Sequence, residues 1–286
     1  MTIDPDVRRR IEITFRPLNR QSASRSLPPP ASLSKALADV SPHDAGDAPV
    51  PVTPEVAAKF ATAAVEMWMR AVHSFLMSTS LTDASPLWAS VTGYYSSHYS
   101  VRALAHLLGH FQLFHARQIV QIELQGGRHL CSYRKKGRSD REHKFYWSVV
   151  RQDSHFASDP LFTDNNRPND DDEPSDVGHR DHANYADHID RFPTFRPLDD
   201  EALRRRVQFI AQMGFDTPPI PRRSRFPDND SVQVVAYHRI VRFRQFLDEI
   251  IGEANRFWKF HRTPTWTSGM IDFQLAEQRG LGTQQR

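Results

Sequence analysis

Tyr94-Tyr95-Ser96-Ser97-His98-Tyr99-Ser100-Val101-Arg102-Ala103-Leu104-Ala105-His106-Leu107-Leu108-Gly109 reads as a buried helix that nevertheless carries ionisable side chains. Apolar or aromatic residues at Leu87, Trp88, Val91, Tyr94, Tyr95, Leu104, Ala105 and Leu108 recur at helical spacing, and Gly109 stands where a helix C-terminus favours glycine. His98 and Arg102 are four residues apart and so share one helix face. A core helix seldom keeps an Arg and a His unless they are paired or used. The stretch is therefore a candidate site, while His106 and His110, further along, are expected to face solvent.

Upstream, Thr53-Pro54-Glu55 carries the signature of a helix start: an N-cap hydroxyl, Pro at the first helical position and an acid in the first turn. Val56, Phe60, Ala63, Ala64, Met67, Trp68, Ala71, Val72, Phe75 and Leu76 then keep to one broad face. The second helix opens near Ser85-Pro86, and the short connection predicts an antiparallel pair joined by its apolar stripes. Residues 17 to 52, rich in Pro, Ser, Ala and Asp, read as a flexible linker. Before them Ile11-Glu12-Ile13-Thr14-Phe15 alternates like a short strand.

Downstream of Gly109 the period changes. Ile119, Val120, Ile122 and Leu124 precede Gly126-Gly127, and Leu130, Cys131 and Tyr133 follow, which predicts a β-hairpin over 118–133. Residues 143 to 152 are expected to be helical, 159–178 to form an acidic loop around Asp170-Asp171-Asp172-Glu173, and a further helix to begin at Asp199 and stop at Gly214. A last long helix is expected over about 230 to 261, followed by a polar tail. The fold class expected is mainly α: an up-down helical bundle over 53–265 with a small inserted β-hairpin, between an N-terminal segment and linker (1–52) and a C-terminal tail (266–286).

Composition narrows the function. The 39% hydrophobic content of the 286 residues suffices for a core, and a net charge of +3 permits an anionic partner without demanding one. One cysteine, Cys131, excludes an intramolecular disulfide and a multi-cysteine zinc site, and suits a reducing compartment. No apolar run reaches the roughly 20 residues of a membrane span, and the N-terminus lacks the apolar core of a signal peptide. A cytoplasmic protein with no membrane partner is expected.

Several clusters could carry chemistry. His98 could move protons near neutral pH while Arg102 holds a phosphate; alternatively the two form a structural pair bonded to tyrosines. Arg134-Lys135-Lys136 continues from the hairpin, either as a solvated loop or as a phosphate-contacting patch. Between Gly178 and His188 the histidines invite a metal reading, but their spacing matches no specific zinc motif, and neither metal nor cofactor is expected. Arg256 and His261 lie where a helix dipole favours cations, and the arginines at 204–206, 222–225 and 239–244 read as a solvated face or a nucleic-acid groove. Phosphate-loop, nucleophile-elbow and HExxH motifs are missing, which disfavours those hydrolase classes.

Tyr94-Tyr95-Ser96-Ser97-His98-Tyr99-Ser100-Val101-Arg102-Ala103-Leu104 resembles the aromatic, Ala-rich second-helix signature of HEPN domains, a helical-bundle superfamily common in bacterial toxin and phage-defence proteins. Arg180-Asp181-His182-Ala183-Asn184-Tyr185 is similar to the Arg-x-x-Ala-Asp-Tyr or Arg-x-x-x-x-His segment that those domains carry after their third helix. The resemblance covers about residues 53 to 190. It implies metal-independent RNA cleavage by an Arg and a His, usually at a site shared across a homodimer. Tyr185 stands where that His would fall, whereas Arg256 and His261 keep the family's gap on a different segment. The resemblance implies catalysis by Arg180 with His182, and the polar pair His98 and Arg102 is the other candidate for the same roles; substrate contact is expected at Tyr95, Asn184 and Tyr185 and at the basic run Arg134, Lys135 and Lys136. Two readings stay open: an RNA- or nucleotide-binding protein, catalytic as a ribonuclease, and a non-catalytic scaffold that binds a protein partner.

Overall fold

The computed structural model describes residues 3–20, 48–113, 118–137, 141–163, 197–213, 229–252 and 254–262. In chain order these form α1 (Pro5–Arg20), β1 (Val50–Pro51), α2 (Pro54–Ser80), α3 (Pro86–Leu107), β2 (His110–Leu113), β3 (Gln118–Gln125), β4 (Arg128–Lys135), α4 (Glu142–Gln152), the single-turn α5 (Pro160–Thr163), α6 (Asp200–Gln212), α7 (Asn229–Ile251) and α8 (Arg256–His261). The protein is mainly helical with a small antiparallel sheet in the order β1-β4-β3-β2. Contacts divide it into two compact units, the first comprising Met1–Trp68, Val101–Asp159 and Phe243–His261, the second the remainder.

In the first unit the segment expected to be a strand is helical instead. Ile11 and Phe15 do face inward, but with Arg10 and Leu18 beside them they form a stripe of period 3.6, and α1 continues through Pro17. The linker expected over 17–52 is ordered at its far end, where Val50 and Pro51 pair with Cys131 and Leu130. The strands flanking Gly126-Gly127 pair antiparallel from Gln125↔Arg128 to Gln118↔Lys135. Both turn glycines have positive φ, 56° and 77°, the combination that matches a two-residue turn to strand twist. These strands belong to a four-stranded sheet, not to an isolated hairpin, because β2 pairs along β3. Phe60, Ala63, Val52, Phe111, Val120, Ile122 and Cys131 make a core between α2 and the sheet. Trp68 stacks on Phe243 at 5.9 Å and meets Trp258 edge-on at 5.3 Å.

The helix expected to run unbroken to 261 stops at Gly252, whose φ of +61° ends α7; the chain re-enters a helix at Arg256, where Asn255 caps the turn by accepting from the Trp258 N–H at 3.0 Å.

In the second unit Ser78 Oγ donates to the Ala89 carbonyl (2.6 Å) and Ser96 Oγ to the Ala71 carbonyl (2.8 Å), so α2 and α3 run antiparallel there. Small residues, more than apolar stripes, bring these backbones together. A Cβ on Gly93 would lie 2.7 Å from Val232 of α7 and 3.0 Å from Ser78. Gln233 ties the cluster: its amide nitrogen donates to the Ser78 carbonyl and to the Ser78 and Thr82 hydroxyls, while its oxygen accepts twice from Arg206 of α6. Asp199, predicted to open α6, caps it by accepting from Ala202 N–H.

Of the acidic loop expected over 159–178, residues 160–163 form the helical turn α5 and those beyond 163 lie outside the described residues, as do the Arg180 segment and the tail after residue 262.

Candidate functional site

The residues that sequence reasoning singled out separate between the units. His98 is buried in the second unit, 2% exposed, lying parallel to the Tyr94 ring and packed on Tyr99. Tyr95 is half-buried there, edge-on to Tyr94 and next to Tyr99. Arg102, Arg134, Lys135 and Lys136 belong to the first unit. Arg180, His182, Asn184 and Tyr185 lie outside the described residues.

Within the first unit one aromatic ring gathers two of these cations. Tyr146, buried on α4, lies under the Arg102 guanidinium, 5.2 Å from the ring centroid. Its hydroxyl accepts the Gln112 N–H at 3.1 Å, satisfying a backbone donor on β2, one of the two edge strands of the sheet. The Gln112 side-chain carbonyl in turn accepts from Lys136 Nζ at 3.1 Å. Arg102 also points its Nε toward His106 Nε2 at 3.5 Å, a long contact one helical turn along α3. Arg102 is half-buried, as a guanidinium with an apolar stem on an aromatic face should be; Arg134 and Lys135 are exposed at the end of β4.

His106 is buried, contrary to the expected exposure, because it stacks on Phe111 at 4.5 Å and meets Tyr146 edge-on. His110 follows on β2 beside Phe145. Burial, reinforced by Arg10 and Arg134, lowers its pKa to about 4, so it is a neutral imidazole at physiological pH. His129 on β4 is likewise held below its ordinary range, by burial first and Arg10 second, against a backbone hydrogen bond to Arg10. Its Nε2 lies 3.0 Å from Thr14 Oγ1, which donates to the Arg10 carbonyl and so accepts from the imidazole.

Arg10 and His129 escaped sequence reasoning, and His110, expected to face solvent, is half-buried. They come from α1, β2 and β4, and only the folded sheet brings them near one another. The one local signal was the Arg at an inward position of the α1 stripe.

Chemically, the arrangement presents two fixed cations, Arg102 and Lys136, flanked by exposed Arg134 and Lys135, and such a set can bind an anion. Among the described residues no group of three or more histidine, cysteine or acidic side chains could hold a metal ion, and none of the helices is long and apolar enough to cross a membrane. No family model, curated protein or solved structure matches the chain.

Proposed function

We propose that this chain is a HEPN-like protein of the toxin or phage-defence type, an up-down bundle with an inserted hairpin, that binds RNA or a nucleotide through the basic cluster of its first unit. The observation that carries this reading is the fixing of Arg102 and Lys136 around Tyr146 and Gln112. Two cations drawn from distant segments and held in place suit phosphate oxygens, which a guanidinium meets as a planar fork and an ammonium as a point charge. Exposed Arg134 and Lys135 extend the same positive surface along a backbone.

Cleavage without a metal requires a base for the 2′-hydroxyl proton and a cation for the charge developing on phosphorus. Arg102 supplies the second. His106, being buried, supports Arg102 as a positioning residue; the proton transfer falls to a second histidine, for which the family resemblance offers His182. The test is incubation of labelled tRNA and total RNA with the purified chain in EDTA, comparing wild type with Arg102→Ala and Arg180→Ala. The reading expects metal-independent cleavage that falls about 100-fold or more in either variant. RNA left intact by wild type removes the catalytic half of the proposal, and loss of binding as well removes the whole.

A second reading rests on a different observation. Trp88 at the start of α3 is 59% exposed, and Met77 and Phe209 are also exposed, all within the second unit. Large apolar side chains facing water support a protein-partner surface. On that reading Trp88→Ser abolishes partner binding and leaves RNA binding unchanged.

A further inference from the structure

Arg10 is a buried cation to which the proposed RNA site assigns no task. It is 8% exposed, on the inward stripe of α1, and among the described residues its guanidinium has neither a hydrogen bond nor an ion pair. Burial lowers its pKa to about 10, which leaves it charged at neutral pH. The acids that act on it do so from a distance, and Glu123 is engaged by the Gln121 and Gln125 amides. Space for the guanidinium is built into the backbone. Gly109 has φ of +88°, and a Cβ there would lie 2.6 Å from Arg10 Nη1 and 2.5 Å from the Ile122 carbonyl oxygen.

Beside the guanidinium is a small pocket, partly open to solvent, walled by Thr14, Phe15, Phe60, His106 and Phe111, with no acidic side chain in its lining. Its interior offers about 10 Å³ to the centre of a water-sized sphere, enough for one water or one monatomic ion and too little for phosphate or a carboxylate. Thr14 Oγ1 is already committed to the Arg10 carbonyl and to His129, which leaves the Arg10 guanidinium as the charged group of a wall otherwise apolar but for the His106 imidazole. Asp153 and Glu123 offset that charge only from a distance, so an anion touching the guanidinium is favoured over a neutral occupant. We propose that Arg10 holds a single chloride-sized anion in this cavity.

The experiment is thermal unfolding of the full chain in sodium chloride and in sodium gluconate at equal ionic strength, for wild type and Arg10→Met. Gluconate is too large to enter. With chloride about tenfold above its dissociation constant, the wild-type midpoint should rise by about 2–4 °C over gluconate, and the increment should vanish in the variant. A second measurement stands if that variant does not fold: crystals of wild type grown in sodium bromide should show an anomalous peak within hydrogen-bonding distance of the Arg10 guanidinium. Equal responses in both proteins, a water with no anomalous signal in the cavity, or a bromide peak without any chloride effect on wild-type unfolding would each overturn the proposal.

Discussion

Gly109 shows how much can depend on one position. It ends α3, takes a left-handed φ, and leaves room for both the Ile122 carbonyl and the Arg10 guanidinium. Gly126 has a left-handed φ too, but a Cβ there would meet open space. Alanine at either site bears the chirality cost of about 1–2 kcal/mol; at 109 it must also displace backbone. Gly109→Ala should therefore destabilise by about 2 kcal/mol more than Gly126→Ala in urea unfolding, and equal losses would contradict the packing described. The sequence marked Gly109 as a helix stop but held no trace of its second task, since Arg10 is about a hundred positions away. Arg102 stood out as a candidate for the opposite reason: its oddity, an Arg in an apolar helical run, is local.

Among the elements, those with strong periodicity and caps were readable. Thr53-Pro54-Glu55, Ser85-Pro86 and Asp199 each mark a helix within a residue or two, and Gly126-Gly127 marks the turn between β3 and β4. The misread elements are those where two patterns compete. Residues 11–15 fit a period of two until Arg10, Thr14 and Leu18 are counted, and the apolar spacing across Gly252 hides the break between α7 and α8. The α2–α3 contact was expected to be an apolar stripe, yet Ser78, Gly93 and Ser96 make it close-packed, which periodicity does not reveal. Gly93→Leu should cost about 3 kcal/mol in the same unfolding measurement, because the added side chain meets Val232 and Ser78. A variant as stable as wild type would show that these helices are farther apart.

For the molecule as a whole, buried histidines couple stability to pH. His110 and His261 are lowered by burial to about 4, and His129 and His238 are lowered too. Each therefore takes up a proton more readily when unfolded than when folded once the pH drops below about 6.5. Their stabilisation is thus complete above that value and is lost as pH falls toward 4, on the order of 3 kcal/mol for His261 alone. Asp153, raised by burial, acts in the opposite sense at the acid end of this window. Urea unfolding at pH 7.5 and 4.5 should show that loss reduced in His261→Gln; an unchanged loss would remove His261 from the account. The central claim is the cationic RNA site of the first unit, and the most direct measurement is fluorescence anisotropy of labelled single-stranded RNA across a salt series, with wild type and Arg102→Gln/Lys136→Gln. If each cation contacts one phosphate, the double variant should bind more weakly and its log–log salt slope should be shallower by about 1.4. Wild type that fails to bind at low salt, or a folded double variant with the same affinity and slope, would contradict it.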